Sequence, residues 1–314
     1  MIFIREIEKY IPGEKPLYLA LGNFDGLHLG HKKLINFLIA KACENNGLSA
    51  AFIFDPHPDN VLSAKTAPKM LTTAEQKAIM LSDMGMGLLI YNTFNNEIAR
   101  LSPEEFVNKF LVKSLKVKEI FIGFNYSFGH RGAGSSETMK ALGEHCGFGV
   151  NVIPPVCIGE DIVSSTLIRQ SLDKGDIERA KQMLGYYPSL KGVVSKGEGR
   201  GKIIGFPTAN LLIDDKINIP SLGVYAAQAV NETGKYPAVV NIGKKPTFHE
   251  KYPVTVETHI IDYSKDLYDT VLEIILFKKI RDEKKFSSVD ELVAQIKTDR
   301  SAAADFFKNP EKAG

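Results

Sequence analysis

Short apolar runs alternate with longer amphipathic stretches from residue 17 to about residue 186. The runs at 17–21, 49–54, 88–91, 117–122 and 150–153 are apolar enough throughout to predict strands buried on both faces. Between them the spacing predicts helices over 32–46, closed by Gly47, and over 74–84, closed by Gly85. Another helix opens at Ser102-Pro103-Glu104-Glu105, where a capping serine, a first-turn proline and a capping-box glutamate stand at the offsets a helix start needs. Strands alternating with helices predict a parallel, doubly wound, Rossmann-like α/β sheet.

After helices around 167–172 and 177–184 the texture changes at Gly185-Tyr186-Tyr187-Pro188. Beyond it, alternating β-branched segments at 190–194, 224–230, 238–242, 254–261 and 271–277 are separated by Gly, Pro, Asn and Asp turns. That spacing predicts a small antiparallel β-barrel, with a terminal helix over 289–297 covering one end of it. A chain of 314 residues is about twice the usual domain size. Two domains are expected, 1–186 and 187–314.

Composition narrows the classes of partner. With 39 basic and 37 acidic residues the net charge is +2, which gives no broad electrostatic footprint for nucleic acid or a membrane. Phosphate binding must then be local, and small molecules are the expected partners of a monomer or weak homo-oligomer. Cys43, Cys146 and Cys157 form no disulfide framework and have no zinc-site spacing, so they are expected as buried thiols in a reducing compartment. The opening MIFIREIEKYIPGEK carries charge among its apolar residues and has no leader-like core. A cytoplasmic location is the default expectation.

The sharpest local feature is Gly22-Asn23-Phe24-Asp25-Gly26-Leu27-His28-Leu29-Gly30-His31, where the first strand gives way to the first helix. Its glycines let the backbone approach a ligand, and the helix start offers N–H groups and a positive dipole end to phosphate. Gly22, Phe24, Asp25, Gly26 and Gly30 are therefore candidates for nucleotide binding. His28 and His31 lie on one face of the first helical turn and can hydrogen-bond phosphate oxygens as charge develops on them. A metal reading of this pair lacks a third ligand at fixed spacing. Ser164-Ser165-Thr166 reads as a helix N-cap, a role compatible with phosphate binding at the same helix end, with Arg169 one turn on. In the second half, Gly197, Gly201, Lys202 and Gly205 precede Pro207-Thr208-Ala209-Asn210. If that segment is extended, Thr208 and Asn210 turn two neutral oxygens toward one cation, enough for a Mg²⁺ that keeps waters and phosphate oxygens as its other ligands.

The first motif resembles the HxGH-type nucleotidyltransferases, specifically the adenylyltransferase module of the bacterial bifunctional riboflavin kinase/FMN adenylyltransferases. Phe54-Asp55-Pro56-His57-Pro58, Gly123-Phe124-Asn125-Tyr126-Ser127-Phe128-Gly129 and Ser164-Ser165-Thr166-Leu167-Ile168-Arg169 make the match narrow. The resemblance implies that His57, Asn125 and Phe128 line the flavin site, and that Ser164, Ser165, Thr166 and Arg169 hold the ATP phosphates. Residues 192–210 look like the flavokinase signature, followed in order by Gly223-Val224-Tyr225, Asn241-Ile242-Gly243, Val256-Glu257-Thr258-His259 and Ile280-Arg281. By that resemblance Thr208 and Asn210 hold Mg²⁺-ATP, Glu257 takes the proton of the riboflavin 5′-hydroxyl, and Arg281 lies near the flavin. Lys202 stands where arginine is frequent and Asp269 where glycine is usual.

The implied function is bifunctional: riboflavin and ATP give FMN in the C-terminal half, and FMN and ATP give FAD and pyrophosphate in the N-terminal half. Two rivals remain at this point, a chain with only one active half and a non-catalytic flavin-sensing regulator.

Overall fold

The computed structural model of the protein describes residues 1–62, 66–197, 201, 204–244 and 254–308. Lys202 and the segment Pro246-Thr247-Phe248 lie outside the described residues. The chain divides into two compact units, Met1–Ser165 and Thr166–Gly314. The compositional break at 185–188 thus falls inside the second unit, between a helical pair and the barrel.

In the first unit β1 (Ile2–Arg5), β2 (Leu17–Leu21), β3 (Leu48–Phe54), β4 (Leu88–Asn92), β5 (Val117–Gly123) and β6 (Gly149–Ile153) form one sheet in the order β1-β4-β3-β2-β5-β6. Every pairing is parallel. β2 and β4 are buried at each residue, which is why they read as unbroken apolar runs. Alternate residues feed two cores: Leu17, Leu19, Leu21, Phe52 and Ile120 face one, and Tyr18, Ala20, Ile53 and Phe121 the other.

The helices of this unit are α1 (Leu29–Glu44), α2 (Pro58–Leu62), α3 (Ala74–Asp83), α4 (Pro103–Phe106) and α5 (Ser136–Cys146). α1 begins earlier than the apolar pattern suggests because the His28 side chain caps it. The expected capping box opens α4, with Ser102 N–H donating to Glu105 at 2.8 Å and Glu105 N–H to Ser102 Oγ at 3.2 Å. Its continuation over Val107–Ser114 is π-helical, a backbone choice that no residue pattern announces. A two-strand hairpin, β7 (Cys157–Ile158) and β8 (Asp161–Ile162), precedes the unit boundary. All three cysteines are free, and Cys43 and Cys157 are exposed rather than buried, the latter on this short hairpin. β3 lies on one side of β2 and β5 on the other, so the order of the sheet reverses there. The carboxyl ends of β2 and β5 form the switch point at which open α/β sheets bind ligands.

α6 (Ser165–Lys174) starts at the boundary, and α7 (Ile177–Leu184) follows, capped by the Asp176 side chain and ended by left-handed Gly185. Then β9 (Ser189–Ser195), β10 (Ala209–Leu212), β11 (Gly223–Asn231), β12 (Gly234–Lys244), β13 (Val254–Ile260) and β14 (Val271–Arg281) close a barrel in the order β10-β13-β12-β11-β14-β9. All its pairings are antiparallel. Along β13, Val256, Thr258 and Ile260 point inward and are buried, while Glu257 and His259 lie on the partly exposed outer face. The terminal helix α8 (Val289–Lys308) is longer than 289–297 and packs on β11, β12 and β14, with Ala303 against Ala226 and Ile261. Asp269 has a φ of 61°, the left-handed backbone that explains why glycine suits this position.

Candidate active sites

The turn from β2 into α1 is held from inside. The Asp25 carboxylate is 3% exposed and accepts N–H bonds from Leu71 at 2.9 Å and Thr72 at 3.2 Å. Gly26, with φ of 74°, donates its N–H to Thr72 Oγ1 at 3.1 Å. Phe24 is left-handed and buried, and its ring fills the space beside Gly22, where a Cβ would stand 3.1 Å away. Phe24 and Asp25, expected among the phosphate contacts, therefore have internal tasks: an apolar ring and a buried carboxylate brace the turn from beneath. The Cβ positions of Gly22 and Gly30 are filled from within by the Phe24 and His28 rings.

His28 Nδ1 accepts the backbone N–H of His31 at 3.3 Å, the N-cap bond of α1. A nitrogen that accepts carries no proton, so the neutral His28 ring has its proton on Nε2, a ready donor to a phosphate oxygen. Gly30 makes this possible, since a Cβ there would meet the His28 ring at 3.1 Å. The two imidazoles stack with centroids 3.6 Å apart, and Phe24 meets His31 edge-on at 5.3 Å. Burial pushes His28 down to about 4, against the pull of Asp25. Burial lowers His31 further, helped by His28 and Lys77. Both rings are thus neutral at physiological pH. His31 Nδ1 is sealed from solvent without a hydrogen-bond partner among the described residues.

Within the first unit, other predicted elements lie in the loops beside this turn, while Thr166 and Arg169 belong to the second unit. Ser165 Oγ donates to Asp25 O at 2.8 Å, which ties the end of the first unit to the turn, with Ser164 just before it. Arg169 follows Ser165 by four residues in the same helix and so shares its face. Asn125 is exposed just past the end of β5, its Oδ1 3.4 Å from where a Cβ on Gly123 would be. His57 Nε2 lies 2.8 Å from the Asn23 side-chain amide, and its Nδ1 accepts from Asp59 N–H at 3.2 Å. Phe128 is different: it is 6% exposed and packs against Phe106 and Tyr126 in the core, so it supports the loop and has no free face for a flavin. Sequence reasoning missed Asn23 and Lys77, whose Nζ donates to Asn23 O at 3.3 Å. A lysine in an amphipathic helix gave no signal that it would be 6% exposed.

The second centre sits on the outer face of the barrel. The register sets Asn210 directly across from Glu257 on one side and Ser195 on the other, and Asn241 directly across from Glu257 on its far strand. Such partners share a face, so Ser195, Asn210, Glu257 and Asn241 form one polar row. Thr208 stands just before β10, two residues ahead of Asn210. Two predicted glycines close on these side chains: a Cβ at Gly197 would collide with the Asn210 amide, and one at Gly201 would stand 3.3 Å from Thr208 Oγ1. Gly205 supplies a left-handed turn, with φ of 86°, before Phe206. His259 Nδ1 lies 2.9 Å from Pro207 O, so it is the protonated nitrogen and braces the turn. Asn241, part of a motif in the sequence but given no role there, joins this row through strand register. Arg281, expected near the flavin, is committed elsewhere: its Nε and Nη2 grip Asp299 of α8 at 3.0 and 2.8 Å, joining β14 to the terminal helix. Among the described residues no cluster of three or more His, Cys, Asp or Glu could hold a metal. The fit to a hard cation comes instead from neutral Thr208 and Asn210 oxygens, which suit an ion otherwise ligated by phosphate and water.

Comparison with known proteins agrees with this layout. A family model described as FAD synthetase matches residues 11–167, and one described as riboflavin kinase matches residues 184–307. The bifunctional riboflavin kinase/FMN adenylyltransferase of Bacillus subtilis strain 168 is 36% identical over 304 residues, covering 94% of this chain and 93% of that protein. Its counterpart in Escherichia coli K12 is 34% identical over 290 residues, 92% of each. A solved structure described as a macrolide-efflux protein from Streptococcus pneumoniae superposes with a TM-score of 0.87 at 29% identity, covering 97% of this chain and 99% of that one. Efflux belongs to that description alone, and among the described residues of this chain no helix is long and apolar enough to cross a membrane. With both domains present and relatives matched along almost their whole length, the chain belongs to the bifunctional riboflavin kinase/FMN adenylyltransferase family, enzymes that convert riboflavin to FMN and FMN to FAD.

Proposed function

We propose that the two reactions are divided between the two centres, with adenylyl transfer at the His28/His31 turn and riboflavin phosphorylation at the Thr208–Asn210–Glu257 face of the barrel. The observation that carries this division is the β10–β13 register, which sets Asn210 opposite Glu257. An alcohol must lose its proton as it attacks phosphorus, and a carboxylate on a rigid strand beside the ATP-holding residues is aimed to take it. Thr208 and Asn210 would hold Mg²⁺, which when bound neutralises charge on the ATP phosphates. Gly197 and Gly201 let the chain pack closely against the Asn210 and Thr208 side chains, which keeps those two oxygens in place for the ATP complex, and Lys202 belongs to the same segment.

In the first centre a terminal phosphate oxygen of FMN attacks the α-phosphorus of ATP and pyrophosphate leaves. That nucleophile is already largely ionised near neutral pH, so no base is needed. The work left to the protein is alignment and charge stabilisation. His28 and His31, the α1 start, Ser164, Ser165, Thr166 and Arg169 perform it, while His57 and Asn125 border the flavin. We further place the enzyme in the cytoplasm as a monomer or weak homo-oligomer acting on small molecules, without nucleic acid as a partner. Chromatography of flavins formed over time from riboflavin, ATP and Mg²⁺ tests the reading. FMN should appear first and FAD follow, and a time course stopping at FMN, or flavin binding without ATP consumption, would reject it.

A further inference from the structure

The most unusual group beneath the first centre is the side chain of Lys77. It projects from α3 to the turn after β2, is 6% exposed, and gives a proton of its ammonium group to Asn23 O at 3.3 Å. Burying an ammonium is expensive unless opposite charges and hydrogen-bond acceptors surround it. Two carboxylates from two different loops act on it, Asp25 in the turn and Asp55 after β3, and they oppose the downward push of burial on its pKa. Asp55 is shared with Arg5, at 3.3 Å.

The residue it grips is a hub. Asn23 offers its backbone carbonyl to Lys77 and its side-chain amide to His57 Nε2 at 2.8 Å. The Asn23 Nδ2 lies against His57 Nε2, and His57 Nδ1 faces the Asp59 N–H, so the Asn23 side chain ties the turn to the loop bearing His57. Because the peptide is trans, a carbonyl turned toward Lys77 points the Phe24 N–H the opposite way. One ammonium therefore fixes the plane of a peptide in the glycine turn and, through Asn23, the loop bearing His57. Its positive charge also acts on His31.

We propose that Lys77 is a positioning residue of the adenylyl-transfer centre, holding the Asn23 peptide and the His57 loop in register and opposing protonation of His31 by its own buried charge. The inference rests on the assignment of adenylyl transfer to this unit. The titratable groups it concerns are His28 and His31 from the start of α1, Asp25 from the turn, Asp55 from the loop after β3, and Lys77 itself from α3.

The test uses the full-length enzyme carrying Lys77→Met, close in shape but uncharged, and Lys77→Gln, uncharged but still a donor. FMN adenylylation is followed across pH, with riboflavin phosphorylation as an internal control. For Lys77→Met the expected result is a fall in adenylylation kcat of about tenfold or more, with phosphorylation unchanged. The acid limb of the adenylylation profile should also move up by about half a pH unit or more, because a repelling charge no longer acts on His31. Lys77→Gln should regain part of the rate but show the same displaced limb. A limb that stays in place in both variants overturns the proposal, whether the rate is intact or uniformly lowered, since a merely structural lysine would act so. His31→Ala run alongside separates the two ideas: if that variant also adenylylates FMN normally, the assignment of the centre has failed, and not only the role of Lys77.

Discussion

Replacing Gly197 by alanine puts a methyl group into space already filled by the Asn210 side chain. The added Cβ would collide with the amide nitrogen and stand 2.9 Å from Cγ and 3.3 Å from Oδ1. Gly197 is not among the glycines with left-handed backbone, so alanine brings no conformational strain of its own and the whole effect falls on Asn210. Restoring ordinary van der Waals contact requires a shift of about 1 Å, and a misplacement of that size in a reacting assembly costs about 100-fold in rate. Riboflavin phosphorylation by Gly197→Ala should therefore fall by about two orders of magnitude, while adenylylation of supplied FMN stays at the wild-type rate. Separate assays of FMN and of FAD formation read the two activities on one preparation, and FAD formation certifies that the protein is folded. Unimpaired phosphorylation in this variant would show that Asn210 is free to move without consequence, and the cation-holding role given to it would be wrong.

Removing the imidazole in His31→Ala should abolish FAD formation while FMN accumulates from riboflavin, as product chromatography will show. Glu257→Gln keeps the shape of the barrel face but removes the proton acceptor, and phosphorylation should drop by about 100-fold or more with adenylylation intact. Thr258 is 1% exposed with its hydroxyl unpartnered among the described residues, so Thr258→Val should stabilise the protein by about 1 kcal/mol in urea denaturation. A loss of stability would mean that the hydroxyl is satisfied. His28 is held neutral down to about pH 4 instead of the usual 6.5, so the unfolded chain takes up a proton that the folded one refuses in that window. Its contribution is fully present above pH 6.5 and is lost as pH falls toward 4, by at most about 3 kcal/mol. His28→Asn, which still caps α1, should show a shallower acid loss in denaturant titrations than the wild type, and equal slopes would contradict the shift.

Much of the molecule was legible because its strands are extreme cases. β2 spans the residues its apolar run predicts, and the Ser102–Glu105 capping box formed as the spacing required. What escaped has physical causes. β1 is a sheet edge with three of four residues exposed, so it lacks the buried run that marks its neighbours. β10 is a four-residue strand framed by turn residues, and only the barrel's closure makes it one. At the sites, the glycines, histidines and hydroxyls were visible as motifs because close backbone approach leaves a signature in residue type. The buried tasks were not. Phe24, Asp25 and Phe128 look like ligand contacts in a motif and turn out to be its supports, while Arg281 spends its guanidinium on Asp299. Lys77 and Asn241 gain their places through tertiary packing and strand register, which no local pattern encodes.

The most direct test of two independent centres is a mixing experiment with riboflavin, ATP and Mg²⁺, using His31→Ala and Glu257→Gln each alone and then together. Alone, the first should stop at FMN and the second should leave riboflavin unchanged; together they should make FAD, because FMN released by one protein serves the other. A mixture that makes no FAD, from folded variants that each retain the complementary half-reaction on supplied substrate, would contradict the separation of the two centres.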